Sequence, residues 1–409
     1  MDYKKAQNLI KKLITIVERG SQDLNDDESY IKIGSFDNTL IFRGTNNIKA
    51  YRQTIDYLLE ANNEIIETIS SKTLKDKILT LIRNSIEKEE VTVDEINGMY
   101  RELMDMPKMK CEVFYPVFGV NYFKKGPLEL GPYTIYNKNI HRKALIEKNP
   151  DGEKILNEEL DQIINSDVII GIEVIVRETA RAYEKARLDL QRFEDTVRFM
   201  IADHNKRYDV GIFNFNFYKR SSALLITSES MGTNDNMTGT IDKLNLHQFP
   251  INGPIYGHDR VWIMLGKPNP TDLEKRIITA IEWSGKALRD EVPSRAFVQY
   301  IFGLEALLQF QQKGVMISPS ITYQISEFAA FIISDELETR LEIEKTVKEL
   351  YAKRSAIAHG GSNNVSKEQL REALYLMKGI ITALLVNKQF QEIKTMDQLN
   401  TWVKSKKYS

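Results

Sequence analysis

The sequence predicts an α+β fold: a mixed N-terminal region, residues 1–267, followed by an all-helical C-terminal bundle, residues 268–409. Two observations carry that expectation. Short β-branched and aromatic runs bounded by glycine and proline, the signature of strands, recur through the first region. Past Lys267-Pro268-Asn269-Pro270 the apolar residues repeat only at three and four positions, as on helices.

The chain has 409 residues, 42% hydrophobic and 28% charged, which is enough for two domains with sizeable cores. A net charge of −1 supplies no global field toward nucleic acid or membrane. One cysteine, Cys111, excludes a disulfide framework and points to a reducing, cytoplasmic compartment. No apolar run approaches the length of a membrane span.

In order, residues 1–20 read as an amphipathic helix, with Leu9, Ile10, Leu13, Ile14 and Val17 on one side. A polar loop follows, then alternation over residues 30–44 predicts a hairpin turning at 35–38. Residues 46–103 read as helices. A sub-boundary is expected near 107, before strands at 111–123 and 128–136. Helix returns at 141–165, a near-continuous apolar strand runs over 167–176, and an amphipathic helix covers 178–200. Strands are expected at 209–218 and 223–227, a polar loop at 228–240, and Val261–Leu265 closes the mixed region. The two prolines at 268 and 270 cannot continue regular structure, and Thr271-Asp-Leu-Glu274 is a capping box. Helices are then expected at 271–289, 294–312, 321–333, 335–358, 366–388 and 396–404.

The stretch Leu350-Tyr-Ala-Lys-Arg354-Ser-Ala-Ile-Ala-His359-Gly-Gly361 carries the chemistry. Arginine is a permanent cation whose planar fork suits phosphate, and histidine exchanges a proton near neutral pH. Val347, Leu350, Arg354 and Ile357 share a helical stripe, so Arg354 lies on the packing face and needs a partner or a cleft. Glu305, on an apolar helix at inward-facing spacing, is the expected partner. It either takes part in catalysis or orients Arg354. His359 is five residues on, about 140° round a regular helix. The two side chains therefore converge only if the helix unwinds near the glycines or if two copies face each other. Tyr351 stacks on a base, contacts phosphate or packs, whereas Lys353, Asn363 and Asn364 flank the site as candidate RNA contacts.

Arg354-x4-His359, extended to Tyr351-x-x-Arg354-Ser355-x-x-x-His359-Gly360, resembles the R-x4–6-H motif of HEPN domains in their ApeA-like branch. Gly131-Pro-Tyr-Thr-Ile135 resembles a phrase from the N-terminal regions of that branch. Many HEPN proteins carry Asn or another polar residue after the arginine; here it is Ser355. The resemblance implies a helical bundle that pairs as a homodimer, and RNA cleavage without a metal by attack of the substrate's 2′-hydroxyl. His359 would act as acid or base and Arg354 would stabilise phosphoryl charge, with Glu305, Tyr351 and Ser355 supporting. It also implies a toxin or antiviral effector acting on cellular RNA such as tRNA. The alternative is a HEPN module that dimerises or binds RNA or protein without cutting.

From Thr271 onward 19 Lys/Arg stand against 17 Asp/Glu, a balance of +2. That is too little for indiscriminate RNA affinity. The N-terminal region is therefore expected to sense a viral or protein trigger, choose the substrate or gate the site. No zinc cluster, phosphate loop or dinucleotide fingerprint is present, so no metal or cofactor is expected.

Overall fold

Ala6, Ile10 and Leu13 fall four and three residues apart, and the first helix, Tyr3–Ile16, buries all three. Asp2 caps it by accepting from the Lys5 N–H. The computed structural model describes residues 2–19, 29–33, 39–202, 208–226, 228, 230–240, 242–249, 253–310, 320–360 and 364–408. It is mixed α/β, with sheets in the N-terminal part and a largely helical C-terminal half. Two compact units divide it: Met1–Val113 with Glu173–Leu188, and Phe114–Ile172 with Asp189–Ser409. The Lys267–Pro270 segment lies within the second unit, where its helical part begins.

In the first unit, Tyr30–Ile33 and Leu40–Arg43 pair antiparallel, with Glu18–Arg19 on the other side of Leu40–Arg43. The expected turn at 35–38 lies outside the described residues. Four helices follow: Thr45–Leu59, Asn63–Thr68, Ser71–Lys88 and Val93–Asp105. Their apolar stripes close one core around Phe42, Leu58, Ile65, Ile78 and Ile96. The returning segment is tied in by Arg177, whose guanidinium donates to Met106 O and Glu64. Glu178 accepts from the Ser70 N–H and the Thr73 hydroxyl at the start of Ser71–Lys88.

In the second unit Val168–Val176 pairs antiparallel with Tyr133–Asn137, from Tyr133↔Ile172 to Asn137↔Val168, and Leu128–Leu130 extends the sheet. Its helical part comprises Asp272–Arg289, Pro293–Leu308, Ile321–Ile333, Leu337–Ala358, Lys367–Val386 and Met396–Tyr408. The Thr271–Glu274 capping box forms with both of its hydrogen bonds. Phe297, Ile301, Leu304 and Leu308 of the second of these helices are fully buried, beside Ile281, Ile325, Val347 and Ile380 from its neighbours. Among the described residues no helix is long and apolar enough to cross a membrane.

Three expectations are corrected. Residues 209–218 form no strand: the N–H groups of Ile212, Phe213 and Asn214 go to the Glu194 side chain and that of Asn216 to Asp209, instead of to a partner strand. The polar stretch 228–240 is not a loop: Met231–Thr238 pairs antiparallel with Lys219–Ile226, in register from Met231↔Ile226 to Thr238↔Lys219. Every residue of Lys219–Ile226 is exposed, so no buried face imposes the apolar alternation that marks a strand. Val261–Leu265, which the sequence assigned to no element type, belongs to a helix, His258–Leu265, begun by Gly257 in the left-handed region. The helix expected over 141–165 is broken by Pro150 into short pieces, Arg142–Lys148, Glu153–Glu158 and Leu160–Ile163.

Candidate active site

The helix Leu337–Ala358 buries only Val347, Leu350 and Tyr351. The stripe that holds Val347 and Leu350 therefore leaves the core as it runs on, and Arg354 and Ile357 are half-buried at its edge. Arg354 is corrected in this respect: its side chain is 35% exposed and does not lie in the packed interior. It does meet the expected partner. Arg354 Nη2 lies 3.9 Å from Glu305 Oε1, and the Glu305 side chain is 20% exposed. At that distance the pair is an ion pair without a tight hydrogen bond. Glu305 thus holds the guanidinium loosely and leaves its donors open to a ligand.

Tyr351 sits one turn before Arg354 and is 8% exposed. Its hydroxyl is buried beside the Glu305 carboxylate, without a well-formed hydrogen bond among the described residues. Burial, and then the Glu305 charge, push the phenol well above its ordinary range, against a weaker pull from Arg354. Tyr351 is thus a neutral donor at pH 7, beside a carboxylate and a guanidinium.

The helix does not unwind before the histidine. The His359 N–H donates to Ser355 O at 3.1 Å, and only Gly360, at φ +77°, takes the left-handed conformation that ends the run. Of the two routes by which Arg354 and His359 could act on one phosphate, local unwinding is thereby closed. The His359 side chain is exposed at the helix C-terminus. Ser355 and Asn364 are exposed and Lys353 is half-buried, whereas Asn363 lies outside the described residues.

Glu305 also lines a cleft of about 590 Å³ with Asp272, Arg276, Gln309 and Asp397. Arg276 is fixed there by donating to the carbonyls of Ala306 and Gln309, at 3.0 and 2.9 Å. Sequence reasoning missed Arg276; its only local signal was Asp272 four residues before it, a spacing that surface helices often carry. Among the described residues no three His, Cys, Asp or Glu side chains converge as a metal-binding set. Compared with protein-family models, characterised proteins and solved structures, the chain matches none.

Proposed function

We propose that the chain is an endoribonuclease that cuts RNA without a metal, with Arg354 and His359 as its catalytic residues. The observation that carries the proposal is the pairing at one helix end of a half-exposed, loosely held guanidinium with an exposed imidazole. Arg354 neutralises charge on the phosphoryl oxygens as the 2′-oxygen attacks the adjacent phosphorus. An imidazole takes the proton from the 2′-hydroxyl, and an imidazolium protonates the departing 5′-oxygen. The products are a 2′,3′-cyclic phosphate and a 5′-hydroxyl. The resemblance to ApeA-like HEPN proteins points the same way and suggests a defence or toxin role on cellular RNA such as tRNA.

One imidazole does not readily serve both ends of the reaction axis. Because the helix stays regular to His359, the second imidazole comes from a second copy, in a two-fold homodimer joined through the helical bundle. A second reading, a binding module that does not cut, is favoured by one observation: Arg354 already has a carboxylate partner. End-mapping of RNA incubated with the protein in excess EDTA separates the two. Cyclic or 3′-phosphate ends are expected; no cleavage, or 5′-phosphate ends that vanish on chelation, would overturn the proposal.

A further inference from the structure

The segment Asp209–Tyr218 has no regular structure, yet side chains and backbone anchor it at several points. Glu194, fully buried, accepts through one oxygen from the N–H groups of Ile212, Phe213 and Asn214, the last two at 2.8 and 3.1 Å. Its other oxygen accepts from Asn214 Nδ2 at 3.0 Å. Arg198, 5% exposed, donates to Asp209 Oδ1 at 3.0 Å and to Asn214 O at 2.9 Å. Phe118 and Gly211 exchange backbone hydrogen bonds. Gly119 permits that approach, since a Cβ there would stand 2.0 Å from Asp209 O. Burying two charged side chains is costly unless they are fully paired, and here both are used to fix the course of one loop.

What the loop presents is aromatic. Phe118, Phe215 and Phe217 form a three-ring cluster with centroids 4.8–5.8 Å apart. Phe217 is 50% exposed and Tyr218 44%. These rings line a cavity of about 820 Å³, with Asn165, Asp167 and Lys243 among its polar walls. That volume lies within the ordinary range of small-molecule and nucleotide sites, about 300–1,000 Å³. Lys219, exposed, follows Tyr218 directly, and Lys243 lines the cavity next to Asp242. Exposed ring faces beside hydrogen-bonding groups and cations match a nucleobase and its phosphate.

We infer that this cavity is a nucleobase-stacking subsite, in which Phe217 and Tyr218 stack on an unpaired base, Asn165 and Asp167 meet its edge, and Lys243 and Lys219 receive the flanking phosphates. It rests on the ribonuclease reading for the assignment of single-stranded RNA as the source of the base; the ring chemistry is independent of it. It gives a structural part to the substrate choice expected of the residues before the helical bundle.

The test uses the full chain and a short single-stranded 2′-O-methyl RNA, which has no free 2′-hydroxyl and is not cut. Binding is followed by fluorescence anisotropy. Phe217→Leu, which keeps apolar bulk without a ring, is expected to weaken binding about fivefold to a hundredfold, the worth of one stacked base. Phe217→Tyr keeps the ring and should bind as the parent does. A duplex of the same sequence, its bases already stacked, should respond to neither substitution. If a nucleoside monophosphate binds as tightly as the oligonucleotide and Phe217→Leu abolishes both, the subsite stands and its ligand is a free nucleotide. Equal oligonucleotide affinity for Phe217→Leu and the parent overturns the inference, as does an equal loss on duplex and single strand. Because the probe cannot be cleaved, these outcomes are separate from whether Arg354 and His359 cut RNA.

Discussion

Replacing Glu194 tests whether a buried carboxylate organises the second unit's irregular loop. Glu194→Ala removes the acceptor of three backbone N–H groups and of Asn214 Nδ2, and leaves Arg198 with Asp209 as its carboxylate partner. The Ile212 N–H is buried and finds no substitute; those of Phe213 and Asn214 are half-buried and reach water in part. Losing one partner of such a buried, hydrogen-bonded charge costs about 3–5 kcal/mol. Glu194→Gln keeps one carbonyl for the N–H groups but loses the charge, and charge-assisted bonds are about twice as strong as neutral ones. Gln should therefore cost roughly half as much as Ala. Urea denaturation gives both values, and hydrogen exchange at Ile212 and Phe213 shows whether the loop opens first. A cost for Glu194→Ala below about 0.5 kcal/mol, the level of an ordinary surface change, with unchanged exchange at Phe213, would show that Glu194 does not hold the loop.

Three further outcomes are expected. Burial pushes the Asp195 carboxyl from 3.8 up to about 7, against the pull of Arg289, Arg198 and Lys286. Between those values the unfolded chain has lost the proton and the folded chain keeps it, so this group's contribution to stability falls as pH rises. Asp195→Asn should match the parent near pH 4 and exceed it by on the order of a few kcal/mol above pH 7; equal stability at every pH would refute this. Tyr351→Phe deletes a buried hydroxyl whose contact with Glu305 falls short of a well-formed hydrogen bond, so stability should change by less than about 1 kcal/mol while cleavage falls; unchanged cleavage would leave Tyr351 with packing alone. Mixed Arg354→Ala and His359→Ala proteins form heterodimers with one intact copy of each residue, and their cleavage should differ from that of either homodimer. A parent protein that stays monomeric by analytical ultracentrifugation while cutting RNA at full rate would contradict the shared site.

What was legible in the sequence is what local chemistry decides. Ala6, Ile10 and Leu13 announce their helix, the Thr271–Glu274 box fixes where another begins, and the apolar run before Arg177 reads as a strand. The meeting of Arg354 with Glu305 was also legible, because two ionisable groups on apolar stripes need each other. What was not legible depends on distant partners. The alternating aromatics of 209–218 match a strand in composition, yet a side chain from another element, Glu194, claims the N–H groups of Ile212, Phe213 and Asn214. Met231–Thr238 pairs with a strand whose residues all face solvent, so no burial wrote a pattern into it. Arg354 follows its stripe correctly but reaches the edge of the packed region first, and a periodicity does not say where packing stops.

The proposed chemistry rests on Arg354 and His359. Its most direct test is cleavage of labelled RNA in EDTA by the parent, His359→Ala and Arg354→Ala, with thermal unfolding recorded for each. Both side chains are open to solvent and make at most one loose ion pair, so both variants should unfold within about 1 kcal/mol of the parent. Cleavage should fall by at least about a hundredfold in each, the usual worth of one acid–base or charge-stabilising group. Parent-like cleavage by a folded Arg354→Ala/His359→Ala double variant would put the active site elsewhere.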